Sequence, residues 1–248
     1  MNMARLIGAT VLTALLLFAG GAYAADGENG WKTEIAPYAW FPSLVGTIQV
    51  KDQSTNVNLS FADLWKYMDI GGMLHMETRK ERVAILFDAT DAQFTVNRPL
   101  VRVDITLFLA ELGGVYQVLG PEKGPGLALD VLAGGRYMYL KDDTTLFGTI
   151  NKAGRQDWID PFVGARVRWG LTKKLLLVAR GDTGAWSRGS KSSWNAQGIV
   201  LYNFTESFSV GGGYRAFYDH YENGNTTADK FEWNATIKGP FVGVAFKF

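Results

Sequence analysis

Cysteine is absent from the 248 residues, and histidine occurs only twice, at His75 and His220. Without cysteine there is neither a disulfide frame nor a thiolate ligand, and two widely separated histidines make no transition-metal pattern. No metal and no other cofactor is expected. Charge of one sign is also missing. The chain has 25 basic and 24 acidic residues, a formal charge of +1, and lacks the basic stripe that nucleic acid selects. No nucleic-acid partner is expected. Past residue 24 there is no apolar run of the roughly 20 residues that a spanning helix needs. No H-E-x-x-H, G-x-S-x-G, P-loop or dinucleotide fingerprint occurs. These absences argue against metalloenzyme, nucleotide-binding, nucleic-acid-binding and helical membrane classes.

What is present is an export signature and a long series of strands. Arg5 is the only charge among residues 1–24, the run from Leu6 to Ala19 is apolar, and Ala22-Tyr23-Ala24 supplies an A-x-A site. A basic start, a short apolar core and that site read as a Sec-type secretory signal peptide over 1–24. Residues 25–248 then form one exported domain, with 24 basic residues balancing 24 acidic ones once Arg5 is removed.

Trp31 to about Val50 reads as one long first strand, kinked near Pro42 because proline cannot serve a central ladder. Alternating segments follow over Gly72–Arg79, Arg82–Val96, Leu100–Leu119, Leu127–Lys141, Asp157–Gly170, Leu175–Ser187, Ser192–Phe204, Ser207–Tyr221 and Lys230–Phe248. The turns at Lys80, Gly120, Leu171 and Thr205 are short. The polar stretches 51–58, 142–156 and 222–229 read as longer loops. The fold expected is all-β, a transmembrane antiparallel up-and-down β-barrel of about ten strands, with eight to twelve compatible with the turn signals. An even count puts both termini in the periplasm and the long loops outside. One short helix interrupts the pattern. Phe61, Leu64, Trp65 and Met68 fall at i, i+3, i+4 and i+7, and Ser60 with Asp63 forms a capping box. This Phe61–Met68 helix belongs to an extracellular loop, where it either gates the mouth or lies on the lipid interface.

Two strands change phase. Val101, Val103, Ile105, Leu107 and Leu109 alternate with Arg102, Asp104 and Thr106, and the pattern slips near Glu111. The last strand passes from Phe231, Trp233, Ala235 and Ile237 to Val242, Val244, Phe246 and Phe248, with a flip at Gly239-Pro240. If apolar residues always face lipid, both changes require β-bulges. Under the same rule the lumen is lined by Glu77, Arg79, Asp88, Arg102, Asp104, Glu111, Asp130, Arg136, Asp160, Arg166, Arg168, Arg180, Asp182 and Arg215, with His75 beside Glu77. Such a lumen either selects small solutes or is filled by its own ion pairs. Strands lie ~4.8 Å apart, so cross-strand pairs are within reach, and a barrel near eight strands is filled by side chains.

The final stretch closes the barrel against the first strand. Gly243, Phe246 and Phe248 are read as an assembly signal, a glycine followed by spaced aromatics and a terminal Phe. The export signal, the serial amphipathic strands and this ending resemble the bacterial outer-membrane β-barrel class. Ala36-Pro37-Tyr38-Ala39-Trp40, the run from Trp158 through Asp160 to Arg166, and Gly212-Gly213-Tyr214-Arg215 resemble a family of uncharacterised outer-membrane proteins. The resemblance implies a location in the cell outer membrane. Its implied partners are outer-membrane lipid, lipopolysaccharide and the barrel-insertion machinery. It implies no activity and no catalytic residues, and oligomeric state is left open.

The reading carried forward is a non-enzymatic barrel, either structural or a narrow passive channel. The alternatives are a rim hydrolase built on Asp219 and His220, and a surface adhesion or assembly partner. Asp219 and His220 are weak catalytic candidates, because adjacent strand residues point to opposite faces.

Overall fold

The computed structural model describes residues 30–248 apart from 100, 122–123, 147–149, 186–188, 225 and 227–228. The signal peptide expected over 1–24 lies outside the described residues.

The chain begins with β1 (Lys32–Trp40) and β2 (Ser43–Val50), separated by Phe41-Pro42. Both pair with the last strand, β12 (Phe231–Lys247), β1 through Glu34↔Lys247 to Trp40↔Phe241 and β2 through Ser43↔Lys238 to Val50↔Phe231. They are one long strand kinked at Pro42, as the sequence reading expects. Strand β3 (Gln53–Leu59) turns back on β2. It is followed by α1 (Phe61–Tyr67) and β4 (Met68–Lys80), so β3 and β4 share the second wall position with the helix between them. The stretch 51–58 is thus a hairpin arm and not a loop.

Eight more strands run up and down: β5 (Val83–Arg98), β6 (Val101–Leu119), β7 (Gly126–Leu146), β8 (Ile150–Gly170), β9 (Leu175–Gly184), β10 (Ser192–Asn203), β11 (Phe208–Asn223) and β12. Each pairs antiparallel with its sequence neighbour, and the β1–β12 pairing closes a ten-stranded barrel. The end carrying Lys32 and Phe248 is called the lower end below. Of the stretch 142–156, read as a loop, residues 142–146 and 150–156 are strand: β7 and β8 stay paired up to Leu146↔Ile150.

Neither expected bulge exists. β5 and β6 pair without interruption from Val83↔Tyr116 to Arg98↔Val101, across Glu111. β11 and β12 pair in one register from Phe208↔Phe246 to Asn223↔Phe231, across Gly239-Pro240. The irregularities lie elsewhere, at Met68/Ile70 and near the lower turn at Gln117/Leu119. Away from those two strand ends the alternation keeps one parity along each strand, and its environment changes with height. In the lower part Leu112, Tyr116, Val131, Val163, Val200 and Val242 face outward and are exposed. In the upper part apolar side chains of the same strands turn inward. Trp40, Leu109, Met138, Trp158, Phe217, Trp233, Ala235 and Ile237 form a buried core there, with Leu44, Ile48, Leu107, Leu140 and Tyr221 against it.

Arg102 and Asp104 share the outward parity of Leu112. They do not line the lumen, contrary to the sequence reading. They pair with each other at 2.8 Å on the outer face, both exposed. Lys141 with Asp143 (2.5 Å) and Arg155 with Asp157 (3.2 Å) repeat the arrangement on β7 and β8. Tyr38 and Trp40 point inward, and Trp40 is buried in the upper core.

Helix α1 has the expected capping box. Ser60 N donates to Asp63 Oδ2 at 3.0 Å and Asp63 N donates to Ser60 Oγ at 3.2 Å. The Ser60 contacts hold the Asp63 carboxyl below its ordinary range. The helix sits against the wall at the β1–β2 kink, where Phe61 meets Phe41 edge-on at 5.1 Å and Trp65 is left exposed.

Candidate functional site

The site with most chemistry is the charged section of the lumen, below the apolar core. It is built by inward positions of β4 through β11, which alternation places on one face of each strand. Two layers can be distinguished.

In the lower layer Glu77 accepts from Arg79 Nη2 at 3.0 Å and from both terminal nitrogens of Arg166, at 2.5 and 3.1 Å. Asp130 accepts from Arg166 Nε at 2.8 Å and from Arg168 at 2.8 and 3.0 Å, and Arg168 reaches Gln117 Oε1 at 2.7 Å. In the upper layer Glu111 is the hub. It accepts from Arg136 at 2.9 Å, Arg180 at 2.8 Å and Arg215 at 3.0 Å. Asp182 takes a second bond from Arg136 at 2.5 Å and lies 2.8 Å from Arg180. Asp88 accepts from Arg215 and from Tyr38 Oη, each at 3.0 Å, with His75 Nδ1 at 3.3 Å. Asn195 ties Asp182 to Arg215, donating at 3.0 Å and accepting at 2.9 Å.

Arg136 and Glu111 are each 1% exposed. Charges so far from water cost several kcal/mol each unless paired and hydrogen-bonded. The planar arginine fork, which stays charged, meets that need from two sides at once. Aromatic faces complete the enclosure. Arg136 stacks over Phe162 at 5.2 Å and Phe217 at 4.9 Å, Arg180 over Phe162 at 5.4 Å, and Arg215 over Trp40 at 5.4 Å. Phe162 has room because Gly134 faces it: a Cβ there would stand 2.8 Å from the ring.

The structure thus brings together Glu77, Arg79, Asp88, Glu111, Asp130, Arg136, Arg166, Arg168, Arg180, Asp182 and Arg215, all sequence-expected. Asp160 also faces inward but meets no arginine among the described residues. Its carboxylate accepts from Ser190 N at 2.6 Å and Ser190 Oγ at 2.7 Å, and Ser190 Oγ also lies 2.9 and 2.8 Å from the two Asp219 oxygens. Asp219 is buried in this cluster. His220 turns to the outer face, 3.2 Å from Glu232. The two residues weighed as a catalytic pair therefore stand on opposite sides of the wall.

Tyr38, Gln117, Ser190 and Asn195 were missed. Gln117 shares the inward parity of Glu111 on β6, and Asn195 lies opposite the apolar parity of Trp194, Val200 and Tyr202 on β10, signals that could have found them. Ser190 lies outside any strand and carries no such signal. Among the described residues no group of three or more histidines and carboxylates is arranged to hold a metal ion. Of the assembly-signal residues, Gly243 faces inward against Tyr38, and Phe246 packs on Phe208 at 5.5 Å.

No protein-family model and no curated protein matches the sequence. Solved bacterial outer-membrane barrels do resemble the structure at low identity. The outer membrane protease OmpT from Escherichia coli is 9% identical, with 90% of this chain and 98% of that chain covered and a TM-score of 0.47. The N-terminal β-barrel domain of Pseudomonas aeruginosa OprF is 13% identical, covering 89% and 98%, with a TM-score of 0.35. Neisserial surface protein A is 14% identical, covering 88% and 97%, with a TM-score of 0.37.

Proposed function

We propose that this chain is an integral protein of the bacterial outer membrane, non-enzymatic, whose lumen is a structural plug. The membrane reading is supported by the lower outer face. On β7 the outward positions from Leu127 to Tyr139 carry no charge. That stretch spans about 40 Å along the strand, or about 28 Å along the barrel axis at a tilt of about 45°, close to the ~25 Å apolar band of such barrels. Trp169 below and Tyr139, Trp194 and Tyr218 above stand where interfacial aromatics gather.

The plug reading rests on one observation above all: Glu111 is bound by three arginines from three different strands, across the lumen. The paired charges occupy the cross-section, and the apolar core caps them. Between the two outcomes left open by the sequence, structural element or narrow passive channel, this favours the structural one. The separation of Asp219 from His220 counts against the rim hydrolase. The test is planar-bilayer recording on refolded protein. A silent bilayer at verified insertion is the expected result. Stable, ion-selective steps would overturn the plug and favour the channel.

A further inference from the structure

The outer wall of the lower half has a notch. A cavity of about 220 Å³ opens outward between β5 and β8. Two neighbouring rungs of the sheet make it, Ala110–Tyr137–Ile159 and Phe87–Leu112–Gly135. Ala110 and Gly135 are its small floor, and Phe87, Leu112, Tyr137 and Ile159 are its walls. The floor is open because glycine has no side chain: a Cβ at Gly135 would meet only Ile159 Cγ2, at 3.9 Å. Gly135 lies four residues below Tyr139, about 13 Å along the strand, and so in the upper part of the apolar band.

Directly above the notch the same outer faces change character. Tyr139 follows Tyr137 on β7, Arg155 stacks over Tyr139 at 5.2 Å, and Lys141 stands next on β7. The carboxylate partners of Arg155 and Lys141 are exposed ones, Asp157 and Asp143. Exposed ion pairs hold weakly, and a phosphate competes well for an arginine fork. From bottom to top the order is hydrocarbon-sized notch, aromatic girdle, basic pair.

We propose that this column binds one phosphorylated, multiply acylated lipid of the outer leaflet, with an acyl chain in the notch and a headgroup phosphate at Lys141 and Arg155. The proposal rests on the membrane reading above. A polar ligand is excluded by depth, and the basic pair selects an anionic headgroup over a neutral one.

The test is native mass spectrometry on delipidated full-length barrel, titrated with diphosphoryl hexa-acyl lipid A, its dephosphorylated form and phosphatidylglycerol. Wild type should bind one diphosphoryl lipid A. Gly135→Leu fills the notch and should weaken it about tenfold. The Lys141→Ala/Arg155→Ala double variant should weaken the diphosphoryl form and leave the dephosphorylated form unchanged. Unaltered heat-modifiability of each variant verifies folding. Equal binding by wild type and Gly135→Leu, or equal binding of all three lipids, would mean annular lipid only and overturn the site. A dimer that Gly135→Leu dissociates would assign the notch to a second copy and overturn it too. Wild type that fails to enter vesicles would instead sink the membrane reading, so the two failures are distinguishable.

Discussion

The lower and upper halves of this barrel use the same strands with opposite polarity. Below, apolar residues face outward, and arginines and carboxylates face inward beside a smaller apolar cluster of Leu86, Val115, Leu132 and Phe162. Above, tryptophans and aliphatic residues face inward, while Arg102, Asp104, Lys141, Asp143, Arg155 and Asp157 face outward. The backbone ladder does not notice the change, since β11 and β12 keep one register throughout. A β-strand only separates its two faces. Which face should be apolar depends on what lies outside at that height. The lower half is built as a membrane barrel is, and the upper half as a water-soluble barrel with an oily core.

Four tests would break or sharpen that contrast. The largest effect is expected from Glu111→Ala, which deprives Arg136, Arg180 and Arg215 of a shared buried partner. A loss of about 3–5 kcal/mol should appear in urea unfolding from lipid vesicles, together with the first measurable conductance. A silent, equally stable variant would mean that the layer is not what fills the lower half. Trp158→Ala acts on the upper core, where Trp158 stacks on Tyr221 at 4.1 Å. Truncating a buried aromatic costs about 3–5 kcal/mol in soluble cores. Here the damage should be local, read as faster proteolysis of the upper half from outside the vesicle with the lower half still protected.

The third test places one charge at two heights on one face of β8. Val163→Arg, in the apolar band, should cost about 2–4 kcal/mol, against about 0–1 kcal/mol for Ala153→Arg ten residues higher. Equal costs would abolish the distinction between the halves. The smallest effect belongs to α1, on the boundary. Ser60→Ala removes the helix cap and should speed amide exchange at Leu64 about fivefold, with folding and assembly unaltered.

Much of the arrangement was legible in the sequence. The kink at Pro42, the capped helix after Ser60, the lower turns, and the closure of the first strand on the last follow from local chemistry. Eleven of the charges assigned to the lumen converge there in ion pairs, because strands within the apolar band do alternate apolar-out. The errors have one cause. Arg102 and Asp104 were placed inside, and bulges were introduced at Glu111 and Gly239-Pro240, by carrying the apolar-out rule above the apolar band. The stretch 142–156 reads as a loop for the same reason: Lys141, Asp143, Arg155 and Asp157 are polar, but they are the outer face of strands that have risen above the apolar band.

The sequence alone determined that the chain alternates at period two and closes through serial antiparallel neighbours, since side-chain alternation and turn chemistry are local properties. Tertiary structure alone decided which face points inward at each height. It also decided that three arginines from separate strands meet on Glu111, and that Ser190 comes between Asp160 and Asp219. Period two has no sign, and cross-lumen partners are set by closure and stagger of the whole barrel.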